Sequence, residues 1–264
     1  MLEIKKLTKV FNAGTVNEKT ALSAVDFSMK PGDFVTVIGG NGAGKSTMLN
    51  CVAGVYPIDG GHIILDGHDV TRLPEHKRAK YLGRVFQDPM MGTATDMNIE
   101  ENLALAYRRG QMRTLKWGVT NAERAKYKDL LKMLDLGLEN RMTDKVGLLS
   151  GGQRQALTLL MATLKAPKVL LLDEHTAALD PKTAAKVLDL TQKLVEENKL
   201  TTLMVTHNMN DAIRLGNRLI MMNEGHIAVE ISGEEKKSLH RADLIALFEK
   251  SSGSTLANDR MLLS

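Results

Sequence analysis

Residues 34–47, FVTVIGGNGAGKST, decide the fold. The apolar run FVTVI reads as a buried strand, and the residues after Gly44 begin a helix. Between them lies the pattern G-x-x-x-x-G-K-[ST], in the strand–helix context where it carries a mechanism. Glycines let the backbone wrap so that its N–H groups point at one anion, and the helix N-terminus adds the positive end of its dipole. The expected cradle is Gly39, Gly40, Asn41, Gly42, Ala43 and Gly44, with Thr47 closing the motif. Lys45 is placed to neutralise the β- and γ-phosphates of a nucleotide, and Ser46 to bind Mg²⁺. A glycine-rich turn without a ligand is the bland alternative, and the flanking strand and helix argue against it.

A second stretch, VLLLDEHTAALDP at 169–181, drives an apolar strand straight into two carboxylates. Burying a carboxylate is costly unless a partner compensates it. A nucleotide site of this kind needs an acid beside Mg²⁺ at the end of a second strand. Asp173 fits that role, compensated by the metal and Ser46. Glu174 then lies beside the γ-phosphate, where a carboxylate can act as general base toward water. Asp180 is the expected N-cap of a helix starting at Pro181, since proline suits the first helical position.

The rest of the chain fits an α/β protein. The 264 residues are 43% hydrophobic and 25% charged, enough for a packed core. The formal charge of +4 is too mild to choose among phosphorylated ligands, nucleic acid and anionic lipid. One cysteine, Cys51, rules out an intramolecular disulfide and fits a reducing compartment. The opening MLEIKKLTKV has no apolar core, so no signal peptide is expected. The apolar patch ALTLLMATL at 156–164 is too short to span a bilayer. The first third reads as strands, including ALSAVDFSM, HIILDGHDV with an Asp-Gly turn, and a short RVF. The middle reads as helices, one opened by the capping box TNAE at 120–123 and another running from near Ser150 to before Pro167. Strand TTLMVT and the hairpin LIMMNEGHIAVEI, turned at Asn223 to Gly225, follow. The stretch KSSGSTLANDRMLLS reads as a loosely ordered polar tail. Strand–helix units on both sides of a helical insert predict a parallel-sheet core.

A third motif, LLSGGQRQ at 148–155, joins the other two. Together they resemble the ATPase subunit of an ATP-binding cassette (ABC) transporter over about residues 2–231. The resemblance implies a RecA-like P-loop core at about 1–87 and 166–231, with an N-terminal antiparallel β region. It also implies a helical subdomain at 88–165 and a C-terminal extension at 232–264. In that family the signature residues, here Ser150, Gly151, Gly152 and Gln153, contact the γ-phosphate of a nucleotide bound by the partner subunit. By the same resemblance Gln87 senses Mg²⁺ and the attacking water and adjoins the membrane partner. His207 contacts the γ-phosphate, Asp180 crosses the dimer interface, and Phe11 stacks on adenine. The implied cofactors are ATP and Mg²⁺. The implied partners are a second copy arranged head to tail, integral-membrane permease subunits and, indirectly, an extracytoplasmic solute-binding protein, with no nucleic acid. The implied place is the cytoplasmic face of the membrane.

The family pattern is D-E-P-T, and here it is DEHT. Proline presets φ and histidine does not; the simplest reading has His175 filling the same turn without chemistry. Asp173, Glu174 and His207 remain, so hydrolysis is expected to survive the change. The phrase DEHTAALDPKTA is similar to a branch of bacterial importer ATPases for amino acids, tryptophan and tyrosine among them. Arg108, Arg109, Arg113 and Lys116 precede Trp117, and read either as a lipid- or permease-facing patch or as a solvated helix end. An exporter or lipoprotein-releasing ATPase would share every motif, so import stands here as an expectation. A ribosome-acting relative usually carries two cassettes and a charged linker, and a DNA-repair relative a long coiled coil between the first and third motifs. Neither feature is present in this sequence.

Overall fold

The computed structural model describes residues 1–111 and 118–252. Two sheets form its frame. The first is antiparallel, in the order β2 (Lys19–Met29), β1 (Leu2–Phe11), β4 (Gly60–Leu65), β5 (His68–Asp69). The second has six strands, in the order β10 (His226–Ser232), β9 (Arg218–Asn223), β3 (Phe34–Gly39), β8 (Thr202–Val205), β7 (Val169–Asp173), β6 (Leu82–Val85). Strands β9, β3, β8, β7 and β6 run parallel, and β10 returns antiparallel to β9. The central strands β3 and β8 are buried along their whole length, which explains why they are continuous apolar runs and not alternating ones.

Nine α-helices complete the described residues: α1 (Lys45–Ala53), α2 (Glu75–Arg78), α3 (Ile99–Tyr107), α4 (Asn121–Lys132), α5 (Gly151–Thr163), α6 (Pro181–Asn198), α7 (Met209–Arg214), α8 (Gly233–Lys237) and α9 (Arg241–Ser252). Helix α1 is clasped between the sheets: its Met48, Leu49, Cys51 and Val52 pack with Leu22, Ile63, Val35 and Val37. Side chains alternate across a strand, so Phe34 enters a different cluster, with Leu170, Leu188 and Met204 under α6. The helical elements from α3 to α5 close a cluster of their own around Leu103, Tyr127, Leu131 and Leu157. Capping boxes open α3, α4 and α5, through Asn98 with Glu101, Thr120 with Glu123, and Ser150 with Gln153. Each satisfies two backbone donors that a helix start otherwise leaves open.

Of the polar stretch read as a tail, 250–264, only residues 250–252 are described, as the end of α9. Helix α9 continues through Ser252, and its Leu244 and Phe248 are buried with Ile38, Met209, Leu219 and Met221. Residues 253–264 lie outside the described residues. The basic cluster also reads differently in three dimensions. Arg108 pairs with Glu123 at 2.9 Å, and Arg109 donates to the Ala162 carbonyl at 3.2 Å, so both serve the fold. Arg113, Lys116 and Trp117 lie outside the described residues. No helix among the described residues is long and apolar enough to cross a membrane.

Cys51 is fully buried in α1, and burial pushes its thiol up to about 11. The thiolate is the reactive form. The native protein is therefore expected to resist a thiol reagent at about pH 8 and to react with one equivalent per chain after denaturation. Rapid labelling of the native protein would contradict this packing.

Candidate functional site

The strand order brings the carboxyl ends of β3, β8, β7 and β6 to one edge, which is where open α/β sheets bind ligands. The loop after β3 supplies residues 39–44, β8 leads to His207, β7 ends in Asp173 and Glu174, and β6 leads to Gln87. A cavity of 230 Å³ sits there, lined by Phe11, Lys19, residues 41–47, Glu174 and His207. Phe11 lies far from the 41–47 loop in sequence; pairing of Phe11 with Lys19 across β1 and β2 brings both to the cavity's rim.

Gly44 caps α1 at φ 101°, a conformation that favours glycine, and a Cβ there would meet the Ala21 carbonyl oxygen at 2.7 Å. The Lys45 side chain is buried and folds back, donating to the carbonyls of Gly39 at 2.8 Å and Gly40 at 3.0 Å. Burial pulls its amine below the ordinary value, while Glu174 and Asp173 pull it up. The cation therefore rests on neutral acceptors inside a loop shaped for an anion.

Asp173 is the most constrained acid of the site. Burial holds its carboxyl above the usual range, and Arg84 and Ser46 work against that rise. Its Oδ1 accepts from the Ser46 hydroxyl at 3.4 Å, and its Oδ2 lies 3.6 Å from Arg84. Arg84 donates to Asn50 at 2.6 Å and stacks over Phe86 at 4.4 Å. Its Nε and Nη1 have no hydrogen-bond partner among the described residues. Among the described residues no three His, Cys, Asp or Glu side chains converge to hold a metal unaided. One carboxylate and one hydroxyl, both hard oxygen donors, suit Mg²⁺ when phosphate oxygens and water complete the shell. The Asp173–Ser46 pair fits that requirement.

Glu174 sits at φ 47°, in the left-handed region, with its N–H donating to the Val205 carbonyl at 3.0 Å. Its Oε1 is 2.5 Å from His207 Nε2, which joins the base candidate to the end of β8. Gln87 is exposed just beyond β6. The Phe86 carbonyl before it accepts from Gln155 of α5 at 3.1 Å.

Ser150, Gly151, Gly152, Gln153 and Asp180 do not line this cavity. Ser150 and Gln153 are engaged with each other, in the capping box that starts α5. Asp180 accepts from the Thr183 N–H at 3.1 Å and caps α6. Arg154 fixes the turn before the helix through the carbonyls of Gly147 and Leu149, at 3.0 and 3.1 Å. A Cβ on Gly152 would lie 2.1 Å from the Thr183 methyl carbon, and one on Gly151 would lie 3.4 Å from Leu179. Gly152 is thus required by packing within its own chain, whatever its first-turn N–H groups do for a ligand.

Comparison with known proteins decides the family. Residues 22–177 match the ABC transporter family. The chain belongs to that family. It is an α/β P-loop ATPase that hydrolyses ATP to power transport, and its named relatives are transport and import subunits. A tyrosine transport ATP-binding protein of Clostridioides difficile is 43% identical over 94% of this chain and 99% of its own length. A spermidine/putrescine import ATP-binding protein of Pasteurella multocida is 32% identical over 93% of this chain, which spans 63% of that longer relative. A dimeric ATP-binding cassette solved in a post-hydrolysis state, with ADP and phosphate bound, superposes with a TM-score of 0.75 at 31% identity. That likeness covers 88% of this chain and 98% of the other.

Sequence reasoning missed Lys19, Arg84, Gln155, Thr183 and Thr191, all polar residues that act across the fold. Only the ABC signature glycines hinted at one of them, because a glycine inside a helix start invites the question of what presses on it. Gly152→Ala is expected to destabilise the protein by about 1–3 kcal/mol through overpacking. Thr183→Ser, which removes the opposing methyl, should restore the melting temperature in the double variant. A double variant as unstable as the single one would contradict the packing argument.

Proposed function

We propose that two copies pair head to tail and close on two ATP molecules, each held between the 39–47 loop of one chain and the Ser150 end of α5 of the other. The supporting observation is the shape of the cavity. At 230 Å³ it falls below the roughly 300–1,000 Å³ of a complete small-molecule site. The signature residues, meanwhile, stand on a different part of the same chain, away from that cavity. A half-site with its lid displaced is completed most simply by a second copy.

In this reading Phe11 stacks on the base, and the backbone of Gly39, Gly40, Asn41, Gly42, Ala43 and Gly44 with Thr47 wraps the phosphates. Lys45 leaves the carbonyls of Gly39 and Gly40 for the β- and γ-phosphates, an exchange of neutral acceptors for charged ones that favours the ligand. Ser46, Asp173 and Gln87 would hold Mg²⁺, which neutralises developing charge on the phosphate oxygens. Glu174 takes a proton from the attacking water, giving ADP and phosphate. His207, 2.5 Å from Glu174, holds that carboxylate until nucleotide offers the imidazole a phosphate oxygen. From the partner come Ser150, Gly151, Gly152 and Gln153, whose helix start offers N–H groups to the γ-phosphate. Asp180 lies along the seam.

The exposed Met90 and Met91, beside Gln87, supply apolar surface for a permease, with residues 88–105 forming the groove. Adaptable methionines suit a surface that must stay in contact through a motion. The chain then works at the cytoplasmic face of the membrane, driving import of a solute delivered by an extracytoplasmic binding protein. The full-length likeness to a tyrosine transport subunit supports an aromatic amino acid as cargo.

Glu174→Gln is expected to bind ATP, to run as a dimer in its presence, and to hydrolyse about 10²–10⁴-fold more slowly. Sedimentation with and without ATP and phosphate release over time measure both properties. A variant that turns over like the parent would remove Glu174 from the role of base.

A further inference from the structure

His175 follows the base directly, yet it does not merely fill a turn. Its side chain is 1% exposed, and its Nε2 lies 3.0 Å from the hydroxyl of Thr191, a fully buried residue in the middle of α6. The direction of that bond follows from counting protons. Thr191 has one hydroxyl hydrogen, and it is donated to the Val187 carbonyl at 2.8 Å. Toward the imidazole the hydroxyl can therefore only accept, so Nε2 carries the ring proton. Nothing among the described residues accepts from the other ring nitrogen, and a second proton there would leave an uncompensated charge in a site closed to water, so the ring is neutral. Its Nδ1 is then a bare acceptor, and it has no partner among the described residues. A buried histidine with one of its two polar atoms unsatisfied needs a reason, because an apolar side chain would avoid that cost.

The backbone supplies the reason. Glu174 is held at φ 47°, which a residue with a Cβ keeps only where its surroundings enforce it. Its own N–H is tied to β8 through the Val205 carbonyl. Beyond it the chain makes two tight turns, Ala177 N–H to the Glu174 carbonyl at 2.9 Å and Leu179 N–H to the Thr176 carbonyl at 3.1 Å, and then enters α6 at the Asp180 cap. The segment 175–180 is thus pinned at both ends to the same helix, by His175 on Thr191 and by Asp180 on Thr183. Leu179, between the pins, and Thr183, the helix side of the second pin, are the residues on which Gly151 and Gly152 rest. A proline at 175 would set φ and could donate nothing to α6.

We propose that His175 is a positioning residue: its Nε2–H bond to Thr191 locks Glu174 and the 177–180 turn onto α6, and so sets the base in register with the signature end of α5. This deepens the reading of Glu174 as base and rests on it. A parent-like Glu174→Gln variant would overturn that reading, whereas a parent-like Thr191→Val variant overturns this one alone.

The test compares Thr191→Val, Thr191→Ser, His175→Phe and His175→Gln in the full chain. Thr191→Val and His175→Phe lose the bond, and kcat is expected to fall about ten- to a hundredfold, the scale of a slightly misplaced catalytic group. KM for ATP should stay within about twofold, because the phosphate cradle is untouched. Thr191→Ser keeps the acceptor and His175→Gln places an amide N–H near Nε2, so both should recover most of kcat. The double variant His175→Phe with Thr191→Val should be no slower than the slower single one. Unchanged kcat in Thr191→Val, no recovery in either conservative variant, or multiplicative losses would overturn the proposal. Long-range ¹H–¹⁵N spectra of the parent decide the case even where a variant fails to fold. His175 should show the Nε2–H tautomer, and an Nδ1–H tautomer would overturn the assignment.

Discussion

Two carboxylates at the end of one apolar strand are the constraint around which this molecule is arranged. Strand β7 is buried from Val169 to Leu172 and delivers Asp173 and Glu174 into a partly buried edge of the sheet. Ionised acids in such a place demand compensation. The fold supplies it from three directions. Ser46 and the buried amine of Lys45 come from the start of α1, Arg84 from the neighbouring strand β6, and His207 from the end of β8. None of these partners makes a short, two-pronged ion pair with Asp173: the hydroxyl is at 3.4 Å and the guanidinium at 3.6 Å. A site held this loosely at its central acid is suited to a ligand that brings its own charges, as a nucleotide with a divalent cation does.

The second organising part is α5. From its tip to its middle it closes the capping box of Ser150 and Gln153, carries Arg154 into the turn before it, and reaches Phe86 with Gln155. Through Gly151 and Gly152 it also rests on Leu179 and Thr183. One helix therefore touches the segment leading to Gln87 and the turn leading out of Glu174, and its own first turn is the exposed Ser150 end. A rigid element that contacts several parts of a site can pass a displacement at one of them to the others. Coupling between ATP closure and a membrane partner needs a connection of this kind.

Much of this was legible in the sequence because it is local. The loop at 39–47, the acids after β7, the Asp180 cap and the Thr120–Glu123 capping box are each set by residues within a few positions of one another, where backbone geometry fixes the meaning of spacing. Lys19, Arg84 and Thr191 were not legible. Each acquires its role by pairing of strands or packing of a helix far along the chain, and a lone lysine, arginine or threonine in a strand or helix carries no positional signal. The DEHT departure raised the question of His175, but its answer lies sixteen positions away in α6. Leu244 and Phe248 of α9, ahead of the polar stretch that begins at Lys250, cover Ile38 and Met221 beside the nucleotide loop, a contact set by packing and not by local spacing.

The central claim is that ATP is shared between two chains. Asn41 and Ser150 are both exposed, and the only native cysteine is buried, so a protein carrying Asn41→Cys and Ser150→Cys offers two reactive thiols at known places. Treated with a short thiol cross-linker and a slowly hydrolysed ATP analogue, it should form covalent dimers that link position 41 of one chain to position 150 of the other, and form far fewer without nucleotide. Links confined to single chains, or a dimer yield indifferent to nucleotide, would contradict the account.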